Sequence, residues 1–534
     1  MFVRLNMITS DEANAARYGG LRRLQGWLKW NPLAEDLPLK DGPENPRIKV
    51  VDIDPRTGQA PPSVKFIVPK KNKYSYFDFG KAKQYDWDKV RRVSLFSTAM
   101  RVLNLFENED ALGRRIKWSF GDQLIISARA GEKANAAYRR ESGTLNFYYF
   151  NSKKNPELTI HLADSPDIVA HETGHAILDA IASDLYTSRN PQTRAIHEAV
   201  ADLTAVLFAF EMDDLGNRIL ESTKGRLDVA NAFGWIGETF GTELAQETGD
   251  TYLRTLYNEN SLLPNSPNFI NSNKPHVIST VLSGAIFAAF IDEFERRKPL
   301  WARASNITDY SASGFSLWLV GGIARRALFR GLDFLPPGDV NFIDVVRAMI
   351  ATDQMAFPRK RDSHFRGFLV EQCLKRGIGE TAEHLRPDPI PDEDPVLGLN
   401  VTRMASDSVY LEQCISNNKA FFYIPDAAAF RVTAQFTTRK SDVPKRGEKV
   451  FRHELVVKVR WSEPEKGKSI WGFNHFKVFR GTTLVIDLDN GHSLIRLTNS
   501  PKHASDGGKT EAQAFALRSD TMLHMETALH AIPH

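Results

Sequence analysis

Two histidines four residues apart, His171 and His175, lie in the segment Asp167-Ile-Val-Ala-His-Glu-Thr-Gly-His175. On a helix that spacing projects both imidazoles from one face, about one turn apart, so two ring nitrogens can share a tetrahedral cation. Glu172 adjoins the first histidine. It is too close in sequence to chelate together with both rings, but it is placed to hold a water on the metal and take its proton as general base. Chance alone produces such a five-residue pattern in roughly two chains per hundred of this length, so the rest of the chain must support it.

A catalytic zinc takes three protein ligands and keeps one position open. The segment Arg194-Ala-Ile-His-Glu-Ala-Val-Ala-Asp202 offers His197 and Glu198 as the third. These two are about 100° apart around a helix, so only one can face the metal. Asp202 follows Glu198 by four residues and shares its face, where it can accept the second ring N–H of a ligating histidine. Glu198 is therefore the expected ligand and Asp202 its support. A buried helix face rarely carries His, Glu, His, Glu and Asp without a cation among them. The chain has two cysteines, Cys373 and Cys414, too few for a disulfide framework or a thiolate metal site.

With these residues in place, the chain resembles the thermolysin-like zinc peptidases. Asp167 to His175 looks like that family's first zinc helix, and Glu198-Ala-Val-Ala-Asp202 looks like its E-x-x-x-D second helix. The metzincin pattern would need a histidine where Ile181 stands, and the G-x-M-E-N segment of related aminopeptidases is missing upstream. The resemblance covers roughly residues 62 to 380. It implies an endopeptidase in which Tyr186 and His276 stabilise the oxyanion, a physically sensible use of a phenol and an imidazole aimed at developing charge. It also implies that Ala134-Asn135-Ala136-Ala137-Tyr138 is an edge strand that pairs with extended substrate, through the Asn135 side chain and the Ala136 backbone. Arg254 is the candidate for the arginine expected at a substrate carbonyl.

The chain departs from the family at several points. Three extra residues separate Tyr186 from Glu198, which can displace Tyr186. The acid that usually orients the oxyanion histidine is replaced by Asn271, leaving Glu259 as another partner for His276. Of the acids behind the family's calcium sites, Asp167 is retained and the next is Ala209, although Glu211, Asp213 and Asp214 lie nearby; tight structural Ca2+ is not expected. With 170 residues before His171, about what the β-rich half and its lead-in require, no large inhibitory prodomain is expected.

The elements that must position these groups follow from periodicity and composition. A hydrophobic content of 42% and a charged content of 25% are ordinary for a globular protein; a formal charge of +4 on 534 residues argues neither for nor against nucleic acid, and no nucleic-acid partner is expected. The expected fold class is α+β, a thermolysin-like two-lobed unit followed by an extra β-rich domain. Residues 1–61 read as an N-terminal extension with one helix near Ala13 to Trp30. Residues 62–164 form a β-rich lobe containing a periodic helix from Trp87 to Phe106, and residues 165–385 a helical zinc-binding lobe. The Pro-rich stretch 386–399 reads as a linker, and 400–534 as a β-rich domain of unknown role through which a partner can bind. The helical lobe opens with Ser165-Pro166-Asp167, an N-cap, a first-turn proline and an acid. The apolar run Val281 to Ile291 is short for a membrane span. The N-terminus lacks a secretory h-region, so a cytoplasmic setting is expected, with leaderless export left open. Two other readings stand beside a zinc endopeptidase acting on peptides or proteins: a metal-stabilised binding or regulatory scaffold, and an exopeptidase of the same family.

Overall fold

The computed structural model describes residues 3–9, 24–30, 32–70, 74–81, 84–153, 155–188, 190–238, 241, 243, 252–358, 363–445, 448–464 and 477–499. The fold is α+β. Its first part holds two four-stranded sheets. One comprises β1 (Val3–Ile8), β2 (Leu24–Trp30), β4 (Lys65–Ile67) and β5 (Ser75–Asp78) in the order β2-β1-β5-β4. The other comprises β3 (Ile48–Val51), β6 (Leu124–Ser127), β7 (Ala136–Arg139) and β8 (Thr144–Phe147) in the order β3-β6-β8-β7. Helix α1 (Trp87–Glu107), capped by Asp86 accepting from the Lys89 amide, packs on β1 and β3. Residues 1–61, expected as an extension, thus contribute strands to both sheets. The helix expected near Ala13 to Trp30 is corrected in its second half: Leu24–Trp30 is a strand, antiparallel to β1 with Val3 opposite Trp30. Gly26 weakens a helix there, and β1 satisfies the backbone groups instead. Residues 10–23 of that expectation lie outside the described residues.

The second part is helical. Helix α2 (Pro166–Ile181) starts at Ser165 with Pro166 in its first turn, as expected, although the Ser165 side chain makes no capping bond. A five-residue helix, α3 (Ser183–Thr187), leads to α4 (Pro191–Phe210), which Asn190 caps by accepting from the Gln192 amide. Gly174 lets α2 and α4 approach closely, since a Cβ there would lie 3.1 Å from Thr204 Oγ1 and 3.3 Å from Ala201 Cα. After α5 (Asp213–Ser222), the long α6 (Pro275–Ser305) packs against α4, and against α7 (Asp309–Arg325) and α10 (Phe365–Lys375). By length and composition α6 can cross a membrane, but 78% of its most apolar window is buried inside the protein. Two further helices, α8 (Gly331–Phe334) and α9 (Phe342–Ala356), lie between α7 and α10 in sequence.

The C-terminal part, expected to be β-rich, begins with two helices, α11 (Val401–Ser406) and α12 (Ser408–Asn417). It continues as an antiparallel sheet of β9 (Phe430–Lys445), β10 (Glu448–Pro464), β11 (Lys477–Asp487) and β12 (Ser493–Thr498). Alternation along the strands divides the side chains between two cores. Val456, Val485, Ile495 and Leu497 join the large core of the body. Leu455, Val457, Val459 and Leu484 face Met404, Leu411 and Ile415 of α11 and α12. The Pro-rich stretch is also anchored, because Asp388 accepts from Arg347 Nη2 at 2.6 Å with both side chains essentially buried.

Candidate metal centre

Helices α2 and α4 bring three donor atoms together. His175 Nε2 lies 3.0 Å from His171 Nε2, and Glu198 Oε2 lies 3.7 Å and 3.8 Å from the two nitrogens. Ligands about 2.0–2.1 Å from a tetrahedral zinc sit about 3.3 Å apart, midway through that range. Glu198 Oε2 is buried among three imidazoles, His171, His175 and His276, where a cation would offset the cost of burying its charge. Among the described residues, His171, His175 and Glu198 form the group able to hold a metal ion.

Each ligand is oriented by a further group. His171 Nδ1 stands 2.9 Å from Asp202 Oδ1, which directs its proton to Nδ1 and leaves the Nε2 lone pair facing the other donors. Arg254 closes on the same carboxylate with bonds of 2.7 and 3.2 Å. Burial works against charge on Asp202, but Arg254 and His171 outweigh it and hold its pKa below the ordinary value. Burial likewise opposes the His171 cation, and contact with Asp202 overcomes it and raises the pKa. His175 has no acid behind it: burial drives its pKa well down, so it stays neutral. Its Nδ1 lies 2.7 Å from Nδ1 of His197. For His175 Nε2 to be a lone-pair donor, its Nδ1–H must donate to His197, whose own proton then sits on Nε2. Burial pushes His197 down to about 4, which suits that neutral acceptor.

Glu172 is buried beside the triad, and burial raises its pKa. Its Oε2 accepts from the Tyr138 amide at 2.8 Å. Strand β7 is a sheet edge, and backbone groups alternate sides along a strand. The Asn135 carbonyl accepts from Tyr148 on the sheet side, so Ala136 and Tyr138 present their backbone outward, toward Glu172. Asp179, one turn after His175, fastens this edge to α2: it accepts from the Tyr138 hydroxyl at 2.6 Å and from Arg140 Nε at 2.9 Å.

The remaining expected residues fall differently. His276, at the start of α6, places Nδ1 2.8 Å from Glu198 Oε2 with its side chain 62% exposed. Glu259, considered as its partner, instead pairs with Lys375 at 2.7 Å. Tyr186 is not brought to the triad. Its ring packs 5.9 Å from those of His197 and Tyr138, under the Arg140 guanidinium, and its hydroxyl lies by the Arg140 backbone. Two of the acids considered for calcium are engaged by the protein itself. Asp167 accepts from the Gly237 amide, and Glu211 pairs with Arg101 and Arg325.

Sequence reasoning did not assign His197 and Asp179 as supports. Both carried a signal: His197 as the non-ligand neighbour of Glu198, Asp179 as the continuation of the His171–His175 face by one more turn. The Asp202–Arg254 pair joins residues far apart in sequence and had none.

Fold and site together define an α+β protein with a partly buried His-His-Glu group able to hold a metal ion. No protein-family model and no curated protein matches the chain.

Proposed function

We propose that the protein is a zinc-dependent endopeptidase of the thermolysin-like type. The observation that carries this reading is the convergence of three metal donors beside a buried carboxylate that also touches an outward-facing strand edge. Zinc bound by His171, His175 and Glu198 would polarise the scissile carbonyl and acidify the attacking water. Extended substrate pairs with the Ala136 backbone on β7, with Asn135 at the head of the strand, so side-chain selection falls to neighbouring pockets. Glu172 takes the proton of the attacking water and returns it to the leaving amine; its raised pKa brings it nearer the value such a shuttle needs. His276, exposed at the mouth beside Glu198, donates to the oxyanion. Tyr186 serves the same charge only if α3 shifts toward the centre on substrate binding. Arg254 is bonded to Asp202 with its side chain 16% exposed, and it remains the candidate for a substrate carbonyl.

The test is to strip the purified protein with a chelator, restore zinc, and digest a mixed peptide pool with both forms. The reading predicts internal cleavages in the zinc form and none in the stripped form. Cleavage confined to chain ends would make it an exopeptidase. Full zinc occupancy with no cleavage under several conditions would make it a metal-stabilised scaffold.

A further inference from the structure

Helix α3 is too short to be stable alone and depends on what holds it. On one side it carries Tyr186, packed against His197 and the edge-strand residue Tyr138, and Nη2 of Arg140, just past that strand, donates to the Ser183 carbonyl at 3.1 Å. On the other side it is held by the C-terminal sheet. Arg460 on β10 donates to Asp184 Oδ1 at 2.8 Å, and the Gly338 amide donates to Asp184 Oδ2 at 3.1 Å. Ser188, just past the helix, donates to Asp339 Oδ1 at 3.0 Å. The 338–339 turn is itself seated on β11: a Cβ at Gly338 would lie 2.6 Å from the Phe479 carbonyl oxygen, and Gly338 has a φ of +102°. Arg460 also lies over the Phe479 ring at 5.0 Å. A continuous line of contacts therefore runs from Arg460 through Asp184 and α3 to Tyr186, then to His197, which supports the ligand His175.

We propose that the C-terminal sheet is a working part of the metal centre, and that Arg460 is a positioning residue that fixes α3, and through it Tyr186 and His197, by holding Asp184. The kinetic consequence rests on the zinc-peptidase reading; the structural consequence does not. A longer link in this line, or its loss, lets α3 drift from His197 and loosens the orientation of His175.

The experiment compares Arg460→Ala, Arg460→Lys and Asp184→Asn with wild type, all as full chains. Amide hydrogen exchange is read over residues 182–190 and over β9–β12, and the visible spectrum of the Co2+-loaded protein and kcat and KM on a peptide are measured. Arg460→Ala and Asp184→Asn are expected to speed exchange over 182–190 by roughly threefold to tenfold while the sheet stays protected. They should also shift the Co2+ bands and lower kcat more than they raise KM. Arg460→Lys, which keeps the charge, should restore most of each change. Exchange and Co2+ bands unchanged in both Arg460→Ala and Asp184→Asn would overturn the proposal, even if activity fell. Should the wild type cleave nothing while exchange over 182–190 still rises in the variants, the positioning role stands and the peptidase reading falls.

Discussion

Replacing Asp202 by Asn tests how the ligand set is held. The carboxylate is 1% exposed, 2.9 Å from His171 Nδ1 and within 2.7 Å of Arg254. An amide keeps the shape and one acceptor oxygen. It cannot satisfy both the imidazole N–H and the guanidinium, and its NH2 can turn toward His171 and favour the wrong tautomer. Loss of such a partner weakens metal binding by about tenfold to a hundredfold, or about 1.4–2.7 kcal/mol. A second cost falls on stability. Breaking a buried pair costs about 3–5 kcal/mol, and the lower end applies because the Arg254 side chain is 16% exposed and partly hydrated. The two effects separate in a competition titration against a chromophoric zinc chelator well below the unfolding temperature, with Tm recorded on the metal-free proteins. Zinc affinity within twofold of wild type, with an unchanged metal-free Tm, would refute the role given to Asp202.

Two more perturbations follow from packing and burial. Gly174→Ala gains about 1 kcal/mol of helix propensity, but its Cβ presses 3.1 Å against Thr204, and overpacking costs about 1–3 kcal/mol; the variant should bind zinc more weakly at equal or lower Tm, and tighter binding would contradict the close α2–α4 approach. Burial lifts the Asp344 carboxyl from 3.8 to about 6 against the pull of Arg347. The folded protein then holds that proton more firmly than the unfolded chain, so this contribution to stability is full below about pH 4 and is lost as pH rises through about 6. Asp344→Asn should gain in Tm relative to wild type across that window and run parallel above it; parallel curves throughout would refute the shift.

What the amino-acid sequence conveyed follows the range of each interaction. Helices α2 and α4 were legible because the 3.6-residue spacing of their ligands and the Ser165-Pro166-Asp167 start of α2 are local signals; the Asn190 cap and Pro191 at the start of α4 went unused. The edge strand was legible from its place before the metal helix, whereas its Tyr138 amide bond to Glu172 was not. Residues 400–417 stood inside a region read as β-rich from its later runs, and they are helices because they pack on a sheet face built from residues distant in sequence. Strand β11 runs unbroken through Gly481, and the glycine is needed where the Pro337 carbonyl, distant in sequence, presses on it. Arg460 and Asp184 are 276 residues apart, and nothing local in either announces the other.

The central claim is that Glu172 moves the proton in a hydrolysis carried out at the His171–His175–Glu198 metal centre. Its most direct test is the rate of internal peptide cleavage by Glu172→Gln and wild type, at zinc contents shown equal by elemental analysis. The account predicts one zinc per chain in both proteins and cleavage only in the wild type, with the variant lower by at least about a hundredfold. Equal cleavage by the two proteins, or no cleavage by either at full zinc occupancy, would contradict it.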